Sequence, residues 1–132
     1  MGKLTLSEIR YTEIKKKMAR ENVILEKSFK FALKIIEYSE LLEENKKYVI
    51  ARQILKAGTS IGANVKEAQS AESKADFIHK LKIADKEANE LEYWLQLCKM
   101  TEKYPNPANL ENGLLEIKKL LSKIISSSKA ST

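Results

Sequence analysis

Apolar residues recur along this chain at spacings of three and four, the signature of amphipathic helices, and they do so in four separate runs. The first covers about residues 24–44. Leu25, Phe29, Ala32, Leu33 and Ile36 mark one stripe, and Phe31, Ile35, Tyr38 and Leu42 mark a second. Together they span well over the ~100° that a single buried face needs. That width predicts burial against the helix's own bundle and against a neighbour. Asn45-Lys46-Lys47 then breaks the pattern and supplies a short connection.

The second run, about residues 48–70, places Ile50, Ile54, Ala57, Ile61, Val65 and Ala68 on one face. It also carries Gly58 and Gly62, which together cost about 2 kcal/mol relative to alanine in a helix interior. Close approach by another helix explains such a cost, so the two glycines predict a tight-packing notch. Gln53, Ser60 and Asn64 form one polar edge of this helix, suited to hydrogen bonds across a helix or subunit seam. Arg52, Lys56 and Lys66 project within roughly 80° of one another on the opposite face, at 100° per residue. Thr59 and Ala63 leave a small-residue floor between them.

Ser73-Lys-Ala-Asp76 has the spacing of a capping box, with Asp in place of the usual Glu or Gln. The third helix follows to about Lys103, with Phe77, Leu81, Ala84, Ala88, Leu91, Leu95 and Cys98 as a bundle seam. Ile83, Trp94 and Leu97 fall off that seam. Trp94 reads either as an anchor for a second interface or as a ring lapping over the bundle's own edge. Tyr104-Pro-Asn-Pro107 stops the helix, because proline removes an N–H and restricts the residue before it. Asn106 and Pro107 suit the N-cap and first position of a fourth helix, which runs on Leu110, Leu114, Ile117, Leu121 and Ile124 to about Ile125. The pattern thus divides the chain into a basic N-terminal extension (1–20), a helical bundle (21–126) and a frayed polar tail (127–132). The extension reads as a helical arm or a disordered one.

Composition narrows the function. The 132 residues suffice for one domain with a real core, and scarce Gly and Pro favour an all-α fold. A single cysteine excludes an internal disulfide framework and suits a reducing cytoplasm. No apolar run approaches the roughly 20 residues of a membrane span, and the N-terminal residues are too charged for a signal peptide. The expectation is a soluble cytoplasmic protein with no membrane partner. The net charge of +6 is unevenly spread. Residues 45–70 hold Lys46, Lys47, Arg52, Lys56 and Lys66 against Glu67 alone, and residues 1–20 hold Lys3, Arg10, Lys15, Lys16, Lys17 and Arg20 against two glutamates. Such segments could meet phosphate, or could be ordinary solvated lysine faces.

Catalytic and metal chemistry lack a residue set. A di-metal bundle needs two Glu-x-x-His motifs, and this chain has one histidine, His79. Cys98 falls on the core seam, where a small buried thiol is expected. Glu87 and Glu90 have nothing beside them to position a substrate, and no Gly-rich phosphate loop follows a strand. The residues therefore predict neither an enzyme nor a cofactor.

The run Lys56-Ala-Gly-Thr-Ser-Ile-Gly-Ala-Asn-Val-Lys-Glu67 resembles the signature of a bacterial four-helix-bundle family encoded in intervening sequences of 23S ribosomal RNA genes. The likeness extends through Ser73-Lys-Ala-Asp-Phe77, Ile83-Ala-Asp-Lys-Glu-Ala-Asn-Glu90 and Glu92-Tyr-Trp-Leu95, and back to Glu21-Asn-Val-Ile24 and Lys27-Ser-Phe-Lys-Phe31. It implies an antiparallel up-and-down four-helix bundle assembling as a ring-like homopentamer. It also implies kinship with the accessory variability determinant of diversity-generating retroelements, a basic pentamer that binds nucleic acid and a reverse transcriptase. Lys56 stands where the family carries Arg, which keeps the charge and loses the bidentate fork. The resulting expectation is a non-enzymatic scaffold that binds structured RNA or RNA–DNA hybrid through Arg52, Lys56 and Lys66, with Lys82 and Lys86 as further contacts. Gly58, Gly62, Asn64, Ile83, Trp94 and Leu97 are the candidate subunit-interface residues. The alternative is a protein–protein adaptor ring that docks a polymerase-like or other partner without touching nucleic acid.

Overall fold

The computed structural model describes residues 2–130, with the side chains of residues 14–21 outside the description. Five helices follow one another: α1 (Leu6–Glu21), α2 (Val23–Glu44), α3 (Tyr48–Ala68), α4 (Lys74–Met100) and α5 (Ala108–Ala130). Among the described residues there is no strand. The fold is an all-helical bundle with one helix more than the apolar pattern predicts. The additional element, α1, arises in the N-terminal extension, and the side chains of its cations Lys15, Lys16, Lys17 and Arg20 lie outside the described residues.

Boundaries follow from local hydrogen bonding. Asn22 caps α2, its Oδ1 accepting from the Leu25 N–H at 2.8 Å. Ser73 Oγ accepts from the Asp76 N–H at 3.0 Å, while the shorter Asp76 side chain reaches back to the N–H of Glu72 rather than that of the cap residue. Asn106 Oδ1 accepts from the Ala108 N–H at 3.0 Å, and α5 begins at Ala108, one residue later than the expected start at Pro107, whose carbonyl accepts from the Leu110 N–H at 2.9 Å. Helix α4 stops at Met100, earlier than the expected Lys103, and Lys103 turns into the left-handed region at φ 68°. Helix α5 continues to Ala130, through residues expected to form a frayed tail. Ile124 and Ile125 pack against the core and hold the last turns in place, which outweighs the modest helix propensity of the serines that follow.

Helices α2 to α5 contact one another in chain order, α2 closes the circle against α5, and α1 contacts α2. Cross-pairs set the directions. Tyr38, late in α2, donates from its hydroxyl to the Pro105 carbonyl at 2.6 Å, just before α5 begins. Lys27, early in α2, pairs with Glu116 further along α5. Neighbours are therefore antiparallel, which short connections require. The core holds the expected seams: Ile54, Ala57, Ile61 and Val65 of α3, Leu81, Ala84, Leu91 and Leu95 of α4, and Leu114, Ile117 and Leu121 of α5 are all buried.

Of the two stripes on α2, Phe31, Ile35, Tyr38 and Leu42 face this core. The other leaves Phe29 half-buried and Leu33 and Ile36 37% and 38% exposed. The glycine notch is where the sequence places it, and its partner is α2 of the same chain. A Cβ on Gly58 would lie 2.6 Å from Cγ2 of the fully buried Ile35. A Cβ on Gly62 would lie 3.4 Å from the Ser28 carbonyl oxygen. Within the chain, Gly58 and Gly62 thus serve the close packing of α2 on α3.

Candidate nucleic-acid interface

Helix α3 turns its apolar side to α2 and α4, which leaves Arg52, Lys56 and Lys66 exposed on its outer side. The floor between them is small. Thr59 donates its hydroxyl to the Leu55 carbonyl at 2.7 Å, and the neighbouring Ser60 donates to the Lys56 carbonyl at 2.6 Å. Both hydroxyls are thereby folded onto the helix itself, and Ala63 completes an open, low surface. Glu67 is the only acid on α3, and Lys80 of α4 pairs with it at 3.1 Å. The outer side of α3 consequently carries three cations against one carboxylate.

The other two candidate cations are on α4. Lys86 is exposed. Lys82 lies against Lys129 at the end of α5, and the adjacent ammonium groups push the Lys129 pKa below its ordinary value. Lys82 therefore belongs to the α4–α5 side of the molecule, away from the α3 cations, because its position on α4 points toward the last turn of α5. Of the five expected phosphate contacts, Arg52, Lys56 and Lys66 share the outer side of α3, while Lys82 and Lys86 are exposed one turn apart on α4.

Off-seam residues gather on α4. The half-buried Trp94 packs against the core, donates from Nε1 to Glu90 Oε1 at 3.3 Å and meets the Tyr93 ring edge-on at 5.4 Å. It thus laps over its own bundle edge while leaving part of its ring outward. Leu97 is 39% exposed, Ile83 and Asn64 are half-buried, and Asn64 donates to the Ser60 carbonyl at 2.8 Å. Tyr93 and Met100, exposed by 56% and 82%, enlarge this apolar surface. Sequence reasoning passed over both, although Tyr93 sits beside Trp94 and Met100 follows Leu97 by three residues.

Titratable groups inside the bundle are held in their neutral forms. Burial raises the Tyr38 phenol well above its ordinary pKa, and the neighbouring Cys98 adds to the effect. Burial likewise raises the Cys98 thiol, partly offset by its hydrogen bond with Tyr38. A raised thiol is a poor nucleophile. A cleft of about 490 Å³ opens between α2 and α5, with Glu37, Asn106, Asn109 and Asn112 among its lining residues, and it shares none with the α3 face. Among the described residues no helix is long and apolar enough to cross a membrane.

Comparison with known proteins places this arrangement. No curated protein matches the chain. Among solved structures, it is similar to a protein of unknown function from the S23 ribosomal protein family of Bacteroides thetaiotaomicron VPI-5482, with 50% identity and a TM-score of 0.73. That likeness covers 78% of this chain and 98% of the other. Residues 20–126, which span the glycine notch, the basic α3 face and the Trp94 surface, match the model of one family: this chain belongs to the 23S rRNA-intervening sequence proteins.

Proposed function

We propose that this protein is a non-enzymatic scaffold that binds the backbone of structured RNA or of an RNA–DNA hybrid, and that copies assemble into a ring, a pentamer. The observation that carries the reading is the basic outer face of α3, led by Arg52 and Lys56. Arg52, Lys56 and Lys66 are exposed there around a floor of Thr59 and Ala63, and the sole acid of the helix is occupied by Lys80. Cations on a rigid helix with a low floor suit a phosphodiester backbone and carry no base-reading geometry, so binding is sequence-tolerant. A ring repeats that face, and weak contacts add by multivalency. The exposed Tyr93, Leu97 and Met100 beside Trp94, with Ile83 and Asn64 nearby, supply the second surface that a cyclic assembly uses. The setting that fits a single buried thiol is the cytoplasm.

Fluorescence anisotropy with structured RNA, RNA–DNA hybrid and duplex DNA across a salt series tests the proposal. Binding weakens steeply with salt, and Arg52→Glu/Lys56→Glu removes it while leaving the assembly intact. No binding at low salt sinks the reading. The exposed Tyr93–Met100 surface would then favour an adaptor that docks a protein, and Leu97→Asp in place of the cation variant would abolish partner capture.

A further inference from the structure

Helix α1 lies almost wholly before residue 20, where the family match begins, and it rests on the one stripe of α2 that the core leaves uncovered. Tyr11 stacks on Phe29, with centroids 6.3 Å apart and rings 13° from parallel. Beyond that contact both partners go unburied. Leu4, Leu6 and Ile9 are 65%, 60% and 42% exposed, and Leu33 and Ile36 of α2 remain more than a third exposed.

The connection explains why. Only Asn22 separates the two helices, and it is fully extended at φ −175° and ψ 160°. Antiparallel helices that pack along their length are joined by about 2–5 residues. At 1.5 Å rise per residue, Tyr11 stands about 16 Å from the hinge and Phe29 about 10 Å. A ring contact across unequal legs closes a narrow V, and the chain cannot zip the helices together further along.

We infer that α1 is a clasp for a second copy of this chain: swung out about Asn22, it lies antiparallel along the Phe29–Leu33–Ile36 stripe of a neighbouring α2. Keeping Tyr11 over Phe29 in that pairing carries Leu6 past Leu33 and Leu4 past Ile36, burying all four. It also brings Lys3 beside Glu37 and Glu40. Lys3 thereby meets opposite charge one to two turns before the end of α2, an exposed pairing that adds modestly to the apolar contact. Exchange of an identical element between copies replaces the intrachain contact with the same contact made in full, which makes it a low-cost route to association. The inference rests on the proposed assembly of copies and is independent of nucleic-acid binding.

Mixing a tagged Tyr11→Cys chain with an untagged Phe29→Cys chain, followed by a short bismaleimide, reads the exchange directly. The wild-type chain, whose Cys98 is buried, is the control. The expected product is a tagged–untagged heterodimer whose yield falls at least several-fold when Leu33→Asp/Ile36→Asp is added to the Phe29→Cys chain. Sedimentation of Leu4→Asp/Leu6→Asp, exposed changes that leave the core alone, shows weaker self-association. Three outcomes overturn the inference: only intrachain linkage in the Tyr11→Cys/Phe29→Cys chain, a heterodimer insensitive to the aspartates, or monomers at every concentration. Anisotropy on the same samples separates the two ideas. Trans linkage without nucleic-acid binding leaves the clasp and sinks the scaffold function, and binding by an assembly without trans linkage does the reverse.

Discussion

Replacing Gly58 by alanine sets two effects of opposite sign against each other. In an open helix interior the substitution stabilises by roughly 1 kcal/mol. Here the new Cβ would sit 2.6 Å from Ile35 Cγ2 and 2.7 Å from its Cγ1. Those atoms are the branched base of a fully buried side chain, so they cannot swing aside as a flexible tip would. Overpacking of this kind costs about 1–3 kcal/mol, and the net expectation is a destabilisation of about 1 kcal/mol. Gly62 is the internal control: its Cβ would make ordinary contact at 3.4 Å from the Ser28 carbonyl oxygen, so Gly62→Ala stabilises by about 0.5–1 kcal/mol. Relief follows the same geometry. Ile35→Val removes only Cδ1, 2.9 Å away, keeps the two closer carbons and rescues little, whereas Ile35→Ala removes all three. Ile35→Ala alone costs about 2–5 kcal/mol and costs at least about 1 kcal/mol less in the Gly58→Ala background. Urea unfolding followed by circular dichroism at one protomer concentration measures all of these, with unchanged m values as the check on the native state. A stabilised Gly58→Ala, or a strictly additive cycle with Ile35→Ala, would refute the close approach of α2 and α3.

Further predictions test the interior and the helix ends. Tyr38→Phe leaves the Pro105 carbonyl without its 2.6 Å donor and lowers stability by about 1 kcal/mol; an unchanged urea midpoint would remove that bond from the account. Cys98, buried and raised in pKa, labels with a thiol reagent only as fast as the protein opens, so rapid labelling of the native chain contradicts the placement on the seam. Lys27 holds the Glu116 carboxyl below its ordinary value of 4.5. The pair therefore contributes stability above that pH and loses it as pH falls through the lower folded value, a small effect because Glu116 is exposed. Lys27→Met should flatten the acid limb of stability against pH, and an identical limb in both proteins would show the pair to be inert. Ser73→Ala, which removes the cap on α4, should cost about 1 kcal/mol in the same unfolding assay.

Four of the five helices were legible because each carries a long apolar seam at helical spacing, and the punctuation at Ser73 and at Asn106-Pro107 acts through local hydrogen bonds that sequence alone specifies. Helix α1 has no such seam: Leu6 and Ile9 stay exposed, and a single residue separates it from α2, so no turn signal announced it. The end of α5 was missed for the converse reason, since packing of Ile124 and Ile125 overrides the weak propensity of the residues that follow. On the candidate site, the exposure of Arg52, Lys56 and Lys66 followed from their 100° arithmetic on one helix. What the arithmetic omits is the neighbouring helix. It could not show that Gly58 faces Ile35 of its own chain, nor that Lys82 is turned toward Lys129.

Asn22 commits both ends of its amide to the bundle, Oδ1 to the N-terminus of α2 and Nδ2 to Gln69 Oε1 at 2.7 Å, just past the end of α3. Gln69 in turn donates to the Val65 carbonyl at 3.0 Å, so the residue is anchored on two helices at once. The joint between α1 and the bundle is thus a pivot whose base is fixed. Torque from α1 passes through one peptide and stops there, without unravelling the first turn of α2. An appendage mounted in this way can be shortened or replaced at little cost to the body that carries it, because the residue joining them is held by α2 and by the end of α3.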